Sequence, residues 1–299
     1  MTPAYLTGSA LFGTWFAELE RGEPPVRFVL PSPFASLDIR PGRMMLFGGP
    51  PGGGKTAALM QIGIDLLRMN DTARLLVANV EMSPVLLFER VASRVSGVPL
   101  TAIADRTLTT DERERVRVAV ASLEPIAARL AFLNAPYTLE HAVSAGMAFG
   151  ANAMILDYIQ RFTVGNEAKT QREQIDNAVS VLRRVCDAGA VVLVAAAVSR
   201  QKGNTGSTYS GLNLASFRGS SELEFGCDSA TLLIGDGAGG ITFQCEKNRF
   251  GAVTDIRTAF DPTRQTFAPH VELSGLANFD ATTPARATRT PKEGRPCNA

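Results

Sequence analysis

Residues 49–56 read GPPGGGKT, and they lie between a short apolar run at residues 44–47 and a helical pattern at residues 56–69. The eight residues fit G-x-x-x-x-G-K-[ST], in which glycines let backbone N–H groups surround a phosphate. A helix that begins directly after the loop adds the positive end of its dipole to the anion site. The stretch therefore predicts the strand, phosphate loop and helix that open a nucleotide-binding α/β fold.

The residues of this loop have distinct predicted roles. Lys55 is expected to reach the β- and γ-phosphates, and Thr56 is expected to bind Mg²⁺ through its hydroxyl. The residues expected to hold the nucleotide are Gly49, Pro50, Pro51, Gly52, Gly53, Gly54, Lys55 and Thr56. The motif alone does not separate a kinase from a GTPase or a motor.

Two acidic residues that follow apolar runs are candidates to complete the site. Asp157 ends the run MILD, where a buried carboxylate without a partner would be costly, so it is the predicted second Mg²⁺ ligand. Glu81 follows the run at residues 74–80, and ligands bind at the C-terminal edge of such sheets. Glu81 is therefore a candidate to activate water, the alternative being an acid at the start of the helix that follows Ser83.

Strand-like and helix-like segments alternate through most of the chain. This alternation predicts an α/β fold with a mainly parallel, twisted sheet flanked by helices. The predicted strands are 44–47, 74–80, 130–133, 153–159, 190–198 and 230–234, and the predicted helices are 56–69, 84–96, 110–123, 139–149 and 171–188. Three further strand patterns without intervening helices predict C-terminal antiparallel hairpins, at 240–245, 254–260 and 265–267.

The chain divides into an arm at 1–30, a core at 31–272 and a tail at 273–299. The arm contains a short amphipathic helical pattern at 9–19, whose apolar face packs either on its own domain or on a neighbouring subunit. The tail is rich in Thr, Pro and Arg, which is typical of disorder. A tail without function is favoured over a contact arm for DNA or a partner.

Composition excludes several classes of protein. The formal charge of +1 excludes a globally basic nucleic-acid-binding surface. No run of about 18 apolar residues indicates a membrane span, and the N-terminus lacks the pattern of a secretory signal. The four cysteines have neither C-x-x-C nor metal-ligand spacing, so reduced thiols in a cytoplasmic protein are expected.

Six segments in order, from about residue 34 to residue 267, resemble the ATPase domain of DnaB-type hexameric replicative helicases, a RecA-like fold. The segments are GGPPGGGKT at 48–56, NVEMS at 79–83, ILDYIQ at 155–160, RGSSELE at 218–224 with Asp228, EKNRFG at 246–251 and TAFD at 258–261. Each is weak alone, but the ordered set is specific. The resemblance implies a RecA-like P-loop NTPase core, ATP and Mg²⁺ as cofactors, and self-association into a hexameric ring.

The resemblance also assigns residues. Glu81 corresponds to the catalytic glutamate that polarises the attacking water, and Arg90 to a position near the nucleotide. Lys247 and Arg249 correspond to a lysine and an arginine finger that reach the γ-phosphate of the neighbouring subunit, where such an arginine contributes on the order of 10³–10⁵ in rate. Without the resemblance, these two residues would be an ordinary charged hairpin tip.

Two loops after strand ends, 161–172 and 200–221, are expected to face the channel of a ring. The second loop combines small polar residues with cations, which suits contacts with the backbone of single-stranded DNA rather than with its bases. The predicted DNA-binding residues are Arg200, Lys202, Arg218, Gly219, Ser220 and Ser221. The alternative is a flexible surface loop.

The chain departs from the family pattern in three places. Ala196 and Ala197 replace a Ser-Gln dipeptide, which removes a glutamine that senses the γ-phosphate, and Gly219 replaces a loop acid. Only about 30 residues precede the core, so the large collar domain of the family is expected to be absent. A reduced, single-domain relative from a plasmid, phage or mobile element is expected.

These features favour an ATP-hydrolysing, ring-forming DNA helicase or translocase that moves on single-stranded DNA in replication. Its expected partners are a loader, an initiator or another replication protein, without a membrane. The alternative is a non-unwinding RecA-like regulatory or accessory ATPase that controls assembly of a partner or nucleoprotein complex. The missing glutamine favours this alternative, whereas Arg218, Lys247 and Arg249 favour a role with DNA. A small-molecule kinase would leave the K-N-R hairpin unexplained.

Overall fold

A computed structural model describes residues 5–165, 170–199, 201–203, 206–209, 211–217 and 222–270. Its helices are α1 (Gly8–Arg21), α2 (Lys55–Met69), α3 (Pro84–Ser96), α4 (Leu100–Ala104), α5 (Thr110–Ala127), α6 (Leu139–Phe149), α7 (Gln171–Asp187) and α8 (Glu222–Gly226). Its strands are β1 (Met44–Gly49), β2 (Leu75–Asn79), β3 (Leu130–Phe132), β4 (Ala153–Asp157), β5 (Val191–Ala197), β6 (Gln201–Gly203), β7 (Gly206–Thr208), β8 (Ser229–Gly235), β9 (Gly240–Asn248), β10 (Ile256–Asp261) and β11 (Thr266–Pro269).

Nine strands form one sheet in the order β11-β10-β9-β8-β1-β5-β4-β2-β3. The six strands from β8 to β3 are parallel, whereas β9, β10 and β11 are joined by antiparallel pairings. The mainly parallel sheet and the C-terminal hairpins predicted from the sequence are thereby confirmed. The β6–β7 hairpin forms a separate two-stranded sheet.

The sheet separates two apolar cores because successive side chains of a strand point to opposite faces. In β1, Met45 and Phe47 enter the core beneath α2, whereas Met44 and Leu46 enter the core on the other face, which includes residues of α6 and α7. The central strands are buried on both faces, which explains their nearly continuous apolar sequences.

Helix α2 lies close against the sheet and thereby fixes the loop at its N-terminus. A Cβ atom at Gly63 would lie 2.7 Å from a methyl group of Leu75 and 2.8 Å from one of Ile155, so a glycine is required at this contact. Gly54, at the N-cap of α2, has a φ angle of 84°, a conformation that favours glycine. These two glycines hold the phosphate loop at the sheet edge.

Several element bounds differ from the predictions. β2 ends at Asn79, so Glu81 lies in the following loop, and β4 ends at Asp157 before a short 3₁₀ helix at Ile159–Arg161. β9 extends to Asn248 because it pairs with β8 across a bulge, so Lys247 lies in a strand rather than at a hairpin tip. The short elements α4, α8, β6 and β7 were not predicted, since three to five residues carry little periodicity.

Helix α1 forms as predicted, between an N-cap at Thr7 and a C-cap at Gly22, but it contributes no buried residue. Its apolar side chains face solvent in the single chain, with Phe12 68% exposed and Trp15 51% exposed. The apolar face therefore does not pack on its own domain within the described residues.

Two observations concern the remaining expectations for the whole chain. None of the helices in the described ranges is long and apolar enough to cross a membrane. The tail predicted at 273–299 lies outside the described residues, so its disorder stays a prediction.

Two cysteines in the core are expected to be unreactive. Burial raises the pKa of Cys186 to about 12 and that of Cys227 to about 11, so both remain protonated at neutral pH. Because the thiolate is the nucleophile, alkylation by iodoacetamide at pH 8 should be at least about tenfold slower in the folded protein than in guanidinium chloride. Peptide mass spectrometry measures both rates, and equal rates would contradict the burial of these thiols.

Candidate active site

A cavity of about 530 Å³ opens where the parallel strands β1, β2, β4 and β5 end. Parallel strands place their C-terminal ends at one edge of the sheet, so residues far apart in sequence meet there. The cavity is lined by most of the loop at 49–56 together with Glu81, Arg90 and Asp157. The structure thus brings together the residues that the sequence predicted separately.

The phosphate loop is held by its own backbone and by Lys55. The Gly53 N–H donates to the Pro50 carbonyl at 3.1 Å, which closes a turn within the loop. Lys55 Nζ donates to the carbonyls of Gly49 and Pro50 at 2.9 and 3.0 Å, so its ammonium lies over the loop. This arrangement provides backbone N–H groups and a cation for a phosphate chain.

The charge of Lys55 has a specific environment. Burial lowers the pKa of Lys55, while the carboxylates of Asp157 and Glu81 oppose that shift. The cation is therefore partly desolvated, which strengthens its attraction for an anionic ligand in the cavity.

Thr56 and Asp157 form the predicted metal-binding pair. Thr56 Oγ1 donates to Asp157 Oδ2 at 2.5 Å. Burial raises the pKa of Asp157, and the hydrogen bond from Thr56 acts in the opposite direction. One hydroxyl and one carboxylate at a phosphate loop fit Mg²⁺, which takes few protein ligands and completes its shell with water and phosphate oxygens. No cluster of three or more acidic, His or Cys side chains able to hold a metal occurs in the described part of the chain.

Glu81 is exposed and lines the cavity, in a turn between β2 and α3. Its backbone N–H donates to Asn79 Oδ1 at 2.8 Å. α3 is capped by Ser83 and has no acidic residue in its first turn, so Glu81 does not cap that helix. The exposed carboxylate can therefore hydrogen-bond a water molecule in the cavity.

One wall of the cavity was not predicted. It consists of Phe260, Pro262 and Gln265 from the β10–β11 hairpin. Arg90 on α3 donates to the side-chain oxygen of Gln265, which connects this wall to the predicted residue. Burial lowers the pKa of Arg90, while Asp157 opposes the shift.

Ala197 lines the cavity at the position where the resemblance expects a glutamine. Its backbone is paired with a neighbouring side chain: the Ala197 N–H donates to Gln160 Oε1 at 3.1 Å, and Gln160 Nε2 donates to the Ala197 carbonyl at 3.4 Å. The methyl side chain itself offers no hydrogen bond to a phosphate.

Lys247 and Arg249 are not among the residues that line the cavity. Lys247 Nζ donates to the carbonyl of Glu224 at 2.6 Å, and Arg249 Nη2 donates to that of Phe225 at 2.5 Å. Arg249 also forms an ion pair with the buried Asp228 at 3.3 Å. The structure therefore does not bring these residues to the site of their own chain, and their action on a neighbouring subunit stays a prediction.

The predicted DNA-binding residues are outside the reach of these observations. Arg200, Arg218, Gly219, Ser220 and Ser221 lie outside the described residues. The backbone of Lys202 is part of β6, but its side chain is not described. Their contacts with DNA stay predictions.

The fold and the site define the class: a phosphate loop at the edge of a mainly parallel sheet with C-terminal antiparallel strands is a RecA-like P-loop domain. The model of the DnaB-like helicase C terminal domain family matches residues 31–269, and the chain belongs to this family.

Two solved structures have a similar fold. One is the ATPase domain of another protein, which is 16% identical with a TM-score of 0.76, and the match covers 89% of this chain and 99% of that one. The other is a DnaB-like replicative helicase, in a structure that also treats its interactions with primase, which is 17% identical with a TM-score of 0.77. That match covers 89% of this chain and 69% of the other. No match is found among curated proteins.

Proposed function

We propose that this chain is an ATP-hydrolysing DNA helicase or translocase that assembles into a hexameric ring and moves on single-stranded DNA. The observation that carries the proposal is the division of the predicted machinery. Lys55, Asp157 and Glu81 share one cavity, whereas Lys247 and Arg249 lie outside it. Such a site would be completed by a second copy of the chain. Membership of the DnaB-like helicase family supports this proposal.

Within the proposal, each residue has a role in hydrolysis. The loop N–H groups and Lys55 bind the phosphates, and Thr56 and Asp157 hold Mg²⁺, which when bound would neutralise developing charge on the phosphates. Glu81 orients the attacking water. The arginine that completes the site comes from the neighbouring protomer, so hydrolysis depends on assembly.

The proposal is tested by ATP hydrolysis with and without single-stranded DNA, together with strand displacement on a forked duplex. A helicase is expected to show stimulated turnover and to separate the fork, and a blunt duplex serves as the control substrate. Sedimentation with ATP and DNA measures the assembly. The absence of turnover in every assembly state would contradict the proposal.

The second candidate is the non-unwinding RecA-like regulatory or accessory ATPase. The observation that favours it is Ala197, which lines the cavity where a glutamine would sense the γ-phosphate. This candidate is expected to hydrolyse ATP without separating the forked duplex. The two assays above therefore distinguish the candidates.

We propose that α1 contributes to assembly through its exposed apolar face, as the arm of one protomer packing on the next. A Trp15→Glu substitution places a charge on this face, where Trp15 is 51% exposed, without disturbing a buried residue. The expected result is assembly weakened at least about tenfold, because burying an unpaired charge is costly. Ala17→Glu places the same charge on the opposite side of the helix and should assemble normally. Equal assembly of both variants, measured by sedimentation, would exclude α1 from the interface.

A further inference from the structure

We infer that Asn79 is a positioning residue that links the carboxylate of the metal-binding pair to the backbone of the catalytic glutamate. Asn79 is the last residue of β2 and is only 4% exposed. It lies directly opposite Asp157 in the parallel pairing of β2 with β4. The inference rests on the ATPase function proposed above.

The oxygen of the Asn79 side chain holds the turn that carries Glu81. Asn79 Oδ1 accepts from the Glu81 N–H at 2.8 Å and from the Met82 N–H at 2.7 Å. A side-chain oxygen that accepts from the backbone two and three residues later replaces the strand pairing that has ended. The backbone of Glu81 is thereby fixed, while its carboxylate remains exposed in the cavity.

The nitrogen of the same side chain holds Asp157. Asn79 Nδ2 donates to Asp157 Oδ2 at 2.9 Å. The orientation of the amide is determined by its partners, because only the oxygen can accept the two backbone N–H groups and only the nitrogen can donate to a carboxylate. Asp157 Oδ2 also accepts from Thr56, so a continuous chain of hydrogen bonds runs from Thr56 through Asp157 and Asn79 to Glu81.

A half-buried asparagine at the opposite end of β4 shows what a purely structural role looks like. Asn152 Oδ1 accepts from the Arg74 N–H at 2.8 Å, and its Nδ2 donates to the Thr72 carbonyl at 2.8 Å. Asn152 thus ties the start of β4 to the chain entering β2, but these hydrogen bonds join it only to backbone groups. Asn79 makes the equivalent link at the other end and contacts two residues of the predicted site.

The test compares Asn79→Ala and Asn79→Asp with Asn152→Ala as the matched control. The first readout is amide hydrogen exchange of Glu81 and Met82 in the nucleotide-free protein. Asn79→Ala should speed their exchange about tenfold, because two N–H groups lose their acceptor. Asn79→Asp keeps the acceptor and should preserve much of the protection, and Asn152→Ala should preserve all of it.

The second readout separates kcat from KM for ATP. In Asn79→Ala, kcat is expected to fall about 10–100-fold while KM changes less than about threefold, because misplacing a reacting group slows chemistry more than binding. In Asn79→Asp, kcat should fall at least as far, because a second carboxylate would face Asp157 Oδ2. Asn152→Ala should keep wild-type kcat. Asn79→Ser, which can accept one N–H, should recover part of the loss and replaces the Ala variant if that variant does not fold.

Each result bears on the inference. Wild-type kcat with wild-type exchange at Glu81 and Met82 in Asn79→Ala would overturn it. An equal loss of kcat in Asn152→Ala would overturn it as well, because any link between β2 and β4 would then suffice. A wild-type protein without ATP hydrolysis would overturn the proposed function, whereas an active wild type with an unaffected Asn79→Ala variant would overturn only the role of Asn79.

Discussion

A Lys55→Met protein is expected to lose ATP turnover by at least about 10²–10³-fold, the scale measured when one charge-stabilising group is removed from an active site. Methionine has nearly the length of lysine but no charge, so the substitution removes the cation that lies over the carbonyls of Gly49 and Pro50. Steady-state hydrolysis measures the loss, and equilibrium binding of a fluorescent ATP analogue shows how much of it arises in binding.

A matched control for this variant lies on the same helix. Arg68, in the last turn of α2, hydrogen-bonds to Ser122 at 2.9 Å and does not line the cavity. Arg68→Met removes a cation of the same helix without touching the site, so its kcat should equal that of the wild type. If both variants lost turnover equally, the effect would belong to α2 in general, and Lys55 would have no special role.

The part of the site predicted from the sequence consists of residues whose signals are local. The loop at 49–56 is contiguous, and its spacing alone identifies a phosphate site. Asp157 was identified because an acid ends a buried apolar run, and β4 does end there. The topology then places both at one sheet edge, which the alternation of strands and helices already implied.

The part that was not predicted depends on pairing between distant segments. Asn79 appears as one polar residue at a strand end, and its role follows only from its register opposite Asp157. The wall that contains Phe260 is positioned by contacts such as Gln61 with the backbone of Phe267, which are 206 residues apart. No local pattern encodes such contacts, and the resemblance placed only Arg90 near them.

The predicted roles of Lys247 and Arg249 depend on a second chain. Within one chain Arg249 is held by Asp228, a carboxylate that also accepts from Arg183 at 2.6 Å and from the Met44 N–H at 2.9 Å. This anchoring fixes the base of the β9 hairpin against β1 and α7. The functional target of the hairpin must be tested by mixing chains.

A mixture of Arg249→Ala and Glu81→Gln proteins is expected to recover ATP turnover that neither protein has alone. Each variant alone should lose about 10³-fold or more, since every interface then lacks either the arginine or the glutamate. In a head-to-tail ring an interface joins the site of one protomer to the hairpin of the next. With equal amounts and random order, about a quarter of the interfaces join an intact Glu81 to an intact Arg249.

The control mixture combines Lys55→Met with Glu81→Gln. Both substitutions lie in the same cavity, so every site in the mixed ring carries one defect and no interface is competent. Recovery in the first mixture but not in the second assigns Arg249 to the neighbouring site, whereas a lack of recovery in mixed rings, verified by sedimentation of labelled chains, would remove that role. The comparison is decisive because the two mixtures differ only in whether the second defect lies inside the cavity or on the hairpin outside it.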